Sequence, residues 1–445
     1  MTAPLFILYL IIGLDFLYPF FFRYFGIPSQ PPSMIQLGIL GMFIITFFRA
    51  ILENKNFINS DAKLKRYKYF ILIYLFIAII SSILNYNNMI LMAKVFLDFS
   101  FINLILFLTI MELDLNEKNQ KNIIKFIYVL IFLQIPVSAL QYILFHYPSA
   151  DYNSGTISFA GKNDGTSIVA ILITFFLSFI ISSMLIKGFT IKRLLLTIST
   201  FIPPIVGGCR LGIVLLPVTI LLTVLSYFMF YGRFELVRFI RITLLSGIIV
   251  SLALIAIIFI APQTRFGKEY LNLDVISSPS KIAKYESGDS KFGRVAGYNE
   301  LFNNVFQNNI TMVFGMGSDV IAESKFVDVS SPKLLFLARL EDSIRLMGTT
   351  GLLGLIMVLV IILSGIPLLK NYIKVETSDF MKIVACSLIP STLIFICAIF
   401  YTSAWATQIG LCYWIILGVL YQRYSVLSRG YEKLSRYYLS FMAST

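Results

Sequence analysis

The chain of 445 residues is 58% hydrophobic and only 13% charged, with a mean hydropathy of +0.84, a balance no water-soluble chain of this length carries on its surface. Its formal net charge of +13 would suit a nucleic-acid binder, but the basic residues stand scattered between apolar runs, which argues against nucleic acid as a partner. A single histidine, His146, and four cysteines (Cys209, Cys386, Cys397, Cys412) in or against apolar segments argue against a metal centre and against a disulfide framework of the secreted type.

In chain order the apolar runs fall at about 3–22, 33–51, 68–84, 89–112, 122–144, 166–187, 194–208, 211–231, 242–261, 343–369, 383–402 and 405–422. Each is near the ~20 residues that a helix needs to cross the hydrocarbon. The reading is an all-α polytopic membrane protein of about 12 transmembrane helices. The first run has no basic flank and no small-residue cleavage site, so it is expected to remain as a helix. The seventh is short and carries Pro203 and Pro204, which predicts a kinked helix buffered by its neighbours.

Alternate loops are basic. One set holds Lys55, Lys63, Lys65, Arg66 and Lys68, then Lys118, Lys121 and Lys125, then Lys187, Lys192 and Arg193, then Arg233, Arg238 and Arg241, then Lys370, Lys374 and Lys382, and ends with Arg423, Arg429, Lys433 and Arg436. The short loops of opposite parity hold only Arg23, Lys162 and Arg210. Cytoplasmic retention of Lys and Arg then puts both termini inside. The expected organisation is a nine-span bundle over 1–261, an external loop domain over 262–342 between spans nine and ten, and a three-span bundle with a basic tail over 343–445.

The external loop is a different material, rich in Ser, Gly and Asn, with acids nearly balancing bases. Phe292, Val295, Tyr298, Phe302 and Val305 recur at helical spacing, which predicts an amphipathic helix on the bundle. Gly315 and Gly317 are expected to end a buried strand-like run from Thr311 to Phe314.

A polar face on a protein embedded in lipid implies transport, or chemistry on lipid-linked substrates. No phosphate-cradling Gly-Lys-Ser/Thr loop and no dinucleotide fingerprint is present, so no nucleotide cofactor is expected and an activated substrate must bring its own energy. The external cations are the leads, because a guanidinium binds phosphate oxygens as a planar fork. Arg210 follows Gly207, Gly208 and Cys209 at a hairpin mouth; it can hold an anion beside close-packed backbone N–H groups or simply snorkel to headgroups. Arg294 lies in Gly293-Arg294-Val295-Ala296-Gly297-Tyr298, where the alternative is an ordinary solvated charge. Glu341, Asp342 and Arg345 precede Gly348-Thr349-Thr350-Gly351; Glu341 and Arg345 make an i,i+4 ion pair, or a carboxylate there takes a proton from a sugar hydroxyl. Lys162 and Asn163, in Gly161-Lys162-Asn163-Asp164-Gly165, open the sixth span, where Asp164 either caps the helix or meets a sugar. His146 reads as an interfacial residue or a substrate contact.

These features together resemble the O-antigen polymerases and ligases, the Wzy-type membrane glycosyltransferases. Gly208-Cys209-Arg210-Leu211-Gly212 resembles their arginine at a hairpin mouth, and Gly293-Arg294 their Gly-Arg opening a loop helix. Glu341-Asp342 before Gly351-Leu352-Leu353-Gly354-Leu355 resembles their polar pair before a Gly-Leu-x-Gly-Leu helix. Ligases of the family carry a histidine near that last motif, which this chain lacks, so the resemblance leans to polymerase. It implies a bacterial inner-membrane enzyme with its site on the periplasmic face. There it would transfer an O-antigen or capsular oligosaccharide from undecaprenyl pyrophosphate to a sugar hydroxyl of another lipid-linked unit. Arg210 and Arg294 would stabilise the departing pyrophosphate, and Glu341 or Asp342 would act as base, with Arg345, Lys162, Asn163 and Tyr298 contacting substrate. Single displacement would invert the anomeric centre. A flippase and a chain-length regulator are the expected protein partners. The rival readings are a flippase for the same unit, with Asp15, Lys94 and Asp98 as ionisable residues inside spans, an O-antigen ligase, and a lipid II polymerase.

Overall fold

Lipid offers no partner to a peptide N–H or C=O, so a chain this apolar must pair its backbone within each segment, and helices do that. The computed structural model describes residues 3–25, 31–52, 62–85, 99–145, 155–157, 165–207, 209–231, 298, 301–306, 308–316, 342–402, 404–405 and 407–444. Among them all regular structure is helical: α1 (Ala3–Phe25), α2 (Pro31–Leu52), α3 (Ala62–Asn85), α4 (Phe99–Glu112), α5 (Glu117–Phe145), α6 (Gly165–Lys187), α7 (Ile191–Ser199), α8 (Ile202–Val206), α9 (Arg210–Phe230), a π-helical turn (Leu301–Val305), α10 (Asn309–Phe314), α11 (Asp342–Val375), α12 (Asp379–Ile399) and α13 (Gln408–Ser444). Seven of these, α2, α3, α5, α6, α9, α11 and α12, contain stretches long and apolar enough to cross a membrane. The expected span 242–261 and most of the expected loop 262–342 lie outside the described residues.

The bundle is apolar on its outside. Phe6, Leu10, Phe48, Phe76, Ile143, Val214, Leu221 and Met229 are exposed, as a lipid-facing surface requires. Small polar side chains go inward instead. α6 is the central helix, packed on α9 and α12, and its Ser178 hydroxyl lies 3.0 Å from Thr223 Oγ1 of α9 and donates to the Ser387 carbonyl of α12 at 2.9 Å. Tyr128 of α5 and Thr392 of α12 make similar interhelical contacts with Ser387 and Tyr413. Cys209, Cys386 and Cys412 are buried packing residues, while Cys397 is exposed on α12.

The expected kink at Pro203 and Pro204 takes the form of two helices. Those prolines cannot donate to the carbonyls of Ser199 and Thr200, so α7 ends at Ser199 and α8 begins at Ile202. The last turn of α7 tightens as it ends: the Thr200 N–H reaches the carbonyls of Leu196 and Thr197, to which the Ser199 and Thr200 hydroxyls also donate, at 2.8 Å and 2.6 Å. Thr197 lies near Met184 at one end of α6, and Gly207 packs on Thr166 at the other, so the broken segment runs alongside that helix.

A second break divides α11 at Gly351 (φ 70°, ψ −172°). Gly315, the C-cap of α10, has nearly the same dihedrals (φ 73°, ψ −168°), a region open essentially to glycine alone. The two face each other: a Cβ on Gly315 would stand 2.5 Å from the Thr349 carbonyl and 2.6 Å from Gly351 N. The carbonyls around the break are taken up by the Met316 N–H (to Gly348, 2.7 Å) and the Ser81 hydroxyl of α3 (to Thr349, 2.6 Å).

This corrects two expectations. Residues 311–314 are helical, because Asn308 caps the segment by accepting from the Ile310 N–H at 2.9 Å and Gly315 stops it. Of the expected amphipathic helix, the side chains of Phe292, Val295 and Val305 lie outside the described residues; Tyr298 packs on the core, but Leu301 is buried and Phe302 exposed, since a π-helical turn shifts the inward face away from the α-helical spacing.

At the opposite end of the bundle a buried ionic network joins the α11–α12 loop to α13. Arg423 donates from Nε and, at 2.8 Å, from Nη2 to Glu376. It also lies 3.2 Å from Glu117 and 3.3 Å from Gln120 Oε1. The Glu376 side chain is fully buried and Arg423 is 9% exposed. Burial alone would push the Glu376 carboxyl up, but hydrogen bonds from Arg423, the Tyr372 hydroxyl and the Ser378 N–H outweigh it and hold it below the ordinary carboxylate value. Lys68–Glu112 and Arg49–Asp114 pair at the same end.

Three outcomes are expected in thermal unfolding of the detergent-solubilised protein. Arg423→Met strands a buried carboxylate and should cost about 3–5 kcal/mol, much of it recovered in the Glu376→Gln/Arg423→Met double variant. Because the folded Glu376 value is depressed, its contribution is present above the ordinary carboxylate range and lost as pH falls through the folded value, so Glu376→Gln should flatten the acid-side loss. Gly351→Ala should cost at least about 1–3 kcal/mol from backbone strain alone.

Candidate functional site

The end of the bundle away from Arg423 gathers the N-termini of α6, α9, α11 and α13. Gly207, three residues before α9, packs on Thr166 of α6, and Gly212 lies against Ala170 of α6 and Pro204. Ser167 of α6 has its hydroxyl 3.3 Å from that of Thr402. The Thr402 carbonyl accepts from the Asp342 N–H at 3.5 Å, and the Ala404 carbonyl from the Gly410 N–H at 2.8 Å. Each N-terminus carries the equivalent of roughly half a positive charge. Four together make this end attractive to anions.

Asp342, the first residue of α11, is fully buried. Its Oδ2 accepts from the Trp405 N–H, and the Trp405 carbonyl accepts from the side-chain amide of Asn103 in α4. The Trp405 ring is itself buried, stacked on Phe395 (centroids 6.2 Å apart, 14° between planes) and edge-on to Trp414 at 5.4 Å. The carboxylate therefore anchors the loop between α12 and α13 to the start of α11.

The neighbouring Ser343 hydroxyl lies 2.7 Å from that of Tyr298, which brings this loop tyrosine to the same helix start. Arg345 stands about one turn further along α11, half-buried. Arg210 opens α9, preceded by Cys209, whose N–H donates to the Pro204 carbonyl at 2.9 Å. The Arg210 side chain and the candidates Glu341, Arg294, Lys162 and Asn163 lie outside the described residues, as does His146. The backbone of Arg210 and the side chains of Asp342, Arg345 and Tyr298 thus share one end of the bundle.

A second feature lies between α5 and α6. The turn at 155–157 is buried and clamped by two amides of α5. Gln141 exchanges two bonds with Gly155, accepting from its N–H at 2.8 Å and donating to its carbonyl at 2.7 Å. Gln134 accepts from the Thr156 N–H at 2.8 Å and donates to its hydroxyl at 2.9 Å.

Sequence reasoning passed over Asn103, Gln134, Gln141, Ser167, Thr402 and Trp405. A signal was available: Asn103, Gln134 and Gln141 are amides isolated in apolar runs, and Trp405 is one of only two tryptophans. No family model matches the chain, and no curated protein matches its sequence.

Asp342→Ala should leave the buried Trp405 N–H without its acceptor and cost about 1–3 kcal/mol, whereas Asp342→Asn keeps an acceptor oxygen and most of the stability. Thermal unfolding, together with the emission maximum of Trp405 and Trp414, checks this; a red shift is expected for alanine only.

Proposed function

We propose that this chain polymerises lipid-linked oligosaccharide repeat units in the bacterial inner membrane, with both termini cytoplasmic and the Asp342 end of the bundle on the periplasmic side. The observation that best supports this reading is the convergence of four helix N-termini on one polar end. A polyprenyl pyrophosphate is the anion such an end suits, since its tail stays in the bilayer while its diphosphate sits at the boundary.

In this reaction the acceptor sugar hydroxyl attacks the anomeric carbon of the donor glycan. A new C–O bond forms, the bond to the pyrophosphate oxygen breaks with its electron pair, and the hydroxyl proton passes to a carboxylate. Arg210 and Arg294 stabilise the charge growing on the pyrophosphate, with Arg345 and the helix N-termini adding to the field. Glu341 is the better base of the acidic pair, because Asp342 is buried and its Oδ2 already accepts from Trp405. Asp342 then positions the start of α11, and Lys162, Asn163 and Tyr298 contact the glycan. No nucleotide enters, and attack from the face opposite the leaving group inverts the anomeric centre.

A flippase for the same substrate is favoured by a different observation: Asp15 of α1 sits inside the bundle, its carbonyl accepting from the Gln408 amide at 3.0 Å with Oδ1 3.4 Å away. Ionisable groups within membrane helices commonly mark transport pathways.

Purified protein in vesicles, given lipid-linked repeat units and no nucleotide, should yield glycan dimers and longer chains. Arg210→Ala and Arg294→Ala should each lower the rate about a hundredfold or more, and Glu341→Gln should do likewise while Asp342→Asn retains activity. Translocation of single units without any polymer would replace this reading with the flippase.

A further inference from the structure

We propose that α10 is a lipid-contacting element: Ile310, Met312 and Val313 rest among the acyl chains of the leaflet at the Asp342 end, so that this part of the loop lies in the membrane and not in water. The inference is independent of the enzymatic reading.

Depth is the first support. Gly315 is locked to Gly351 by mutual close approach, and Met316 donates to Gly348, so α10 shares the level of the break in α11. From Gly351 to Leu369, just before Lys370, α11 rises through 18 steps of almost wholly apolar sequence. At about 1.5 Å per residue that is ~27 Å, close to the ~30 Å hydrocarbon thickness. The break therefore marks the hydrocarbon boundary on the Asp342 side. α3 agrees, since its Ser81, which donates to Thr349, lies within the apolar run that follows Lys68.

Orientation is the second. Thr311 and Gly315 face the bundle and are buried, while Ile310, Met312 and Val313 are 41%, 39% and 40% exposed. Leu133 of α5, Val218 of α9 and Leu225 of α9, on the outward surface of the bundle, are 37%, 38% and 41% exposed. The loop segment thus continues that surface with the same residue types at the same exposure. Phe302 in the preceding turn is likewise exposed, and the polar Asn308 and Asn309 begin the helix. An apolar patch of this kind facing water would be a liability; at the hydrocarbon edge it is solvated.

The test uses full-length protein in phosphatidylethanolamine/phosphatidylglycerol vesicles, with Cys397→Ser removing the exposed native thiol. Nitroxide labels are attached separately at Met312→Cys and Ile310→Cys, with Val218→Cys as the bundle reference. Collision rates with oxygen, which partitions into acyl chains, are compared with those of a water-soluble nickel chelate. Oxygen collisions should dominate at both loop positions, as at the reference. Dominance of the chelate would put α10 in water, and suppression of both quenchers would mean that protein covers it; either overturns the proposal. Two labelled positions keep the test decisive should one variant fail to fold.

Discussion

A peptide group in hydrocarbon has no solvent to turn to, and the architecture follows from that constraint. At three places where the described chain leaves helical geometry, particular side chains or backbone groups take over the pairing. Ser81 and the Met316 N–H serve the break in α11. Asp342 and Asn103 hold the loop at Trp405, and Gln134 and Gln141 hold the turn at 155–157. These three irregular stretches of the described chain are held by protein groups, and all lie toward the end where α6, α9, α11 and α13 begin.

What the sequence made legible was whatever depends on near neighbours. Apolar runs predict the helices, and Pro203-Pro204 predicts the α7–α8 break, because a proline acts on carbonyls only four residues back. Helix ends near charged clusters could be read in the same way. The break at Gly351 was not legible, since its partner Ser81 is 268 residues from Thr349 and its facing glycine, Gly315, lies before α11 in the loop. Asn103 and Trp405 are likewise 302 residues apart. For the short α10, four mixed residues before a glycine carry no decisive period, and Asn308 as a cap outweighed the β-branched Thr311 and Val313.

The candidate site divides along the same line. Arg210 and Asp342 were picked out from short stretches, and each is the first residue of a helix. Those stretches therefore mark helix starts, where a charged residue and the backbone N–H groups act on the same space. That the starts of four helices meet is a property of packing, carried by contacts such as Ser167–Thr402 and Gly207–Thr166. Neither contact has a signature in one sequence. The burial of Asp342 against the Trp405 loop was likewise not legible from its place in the sequence.

α13 runs without a break from Gln408, beside the Trp405 loop, to Arg423 in the ionic network. Fifteen helical steps make a stiff strut about 22 Å long. Sliding or rotation imposed on one polar end is transmitted to the other with little loss, so the two faces of the bundle are mechanically geared rather than independent.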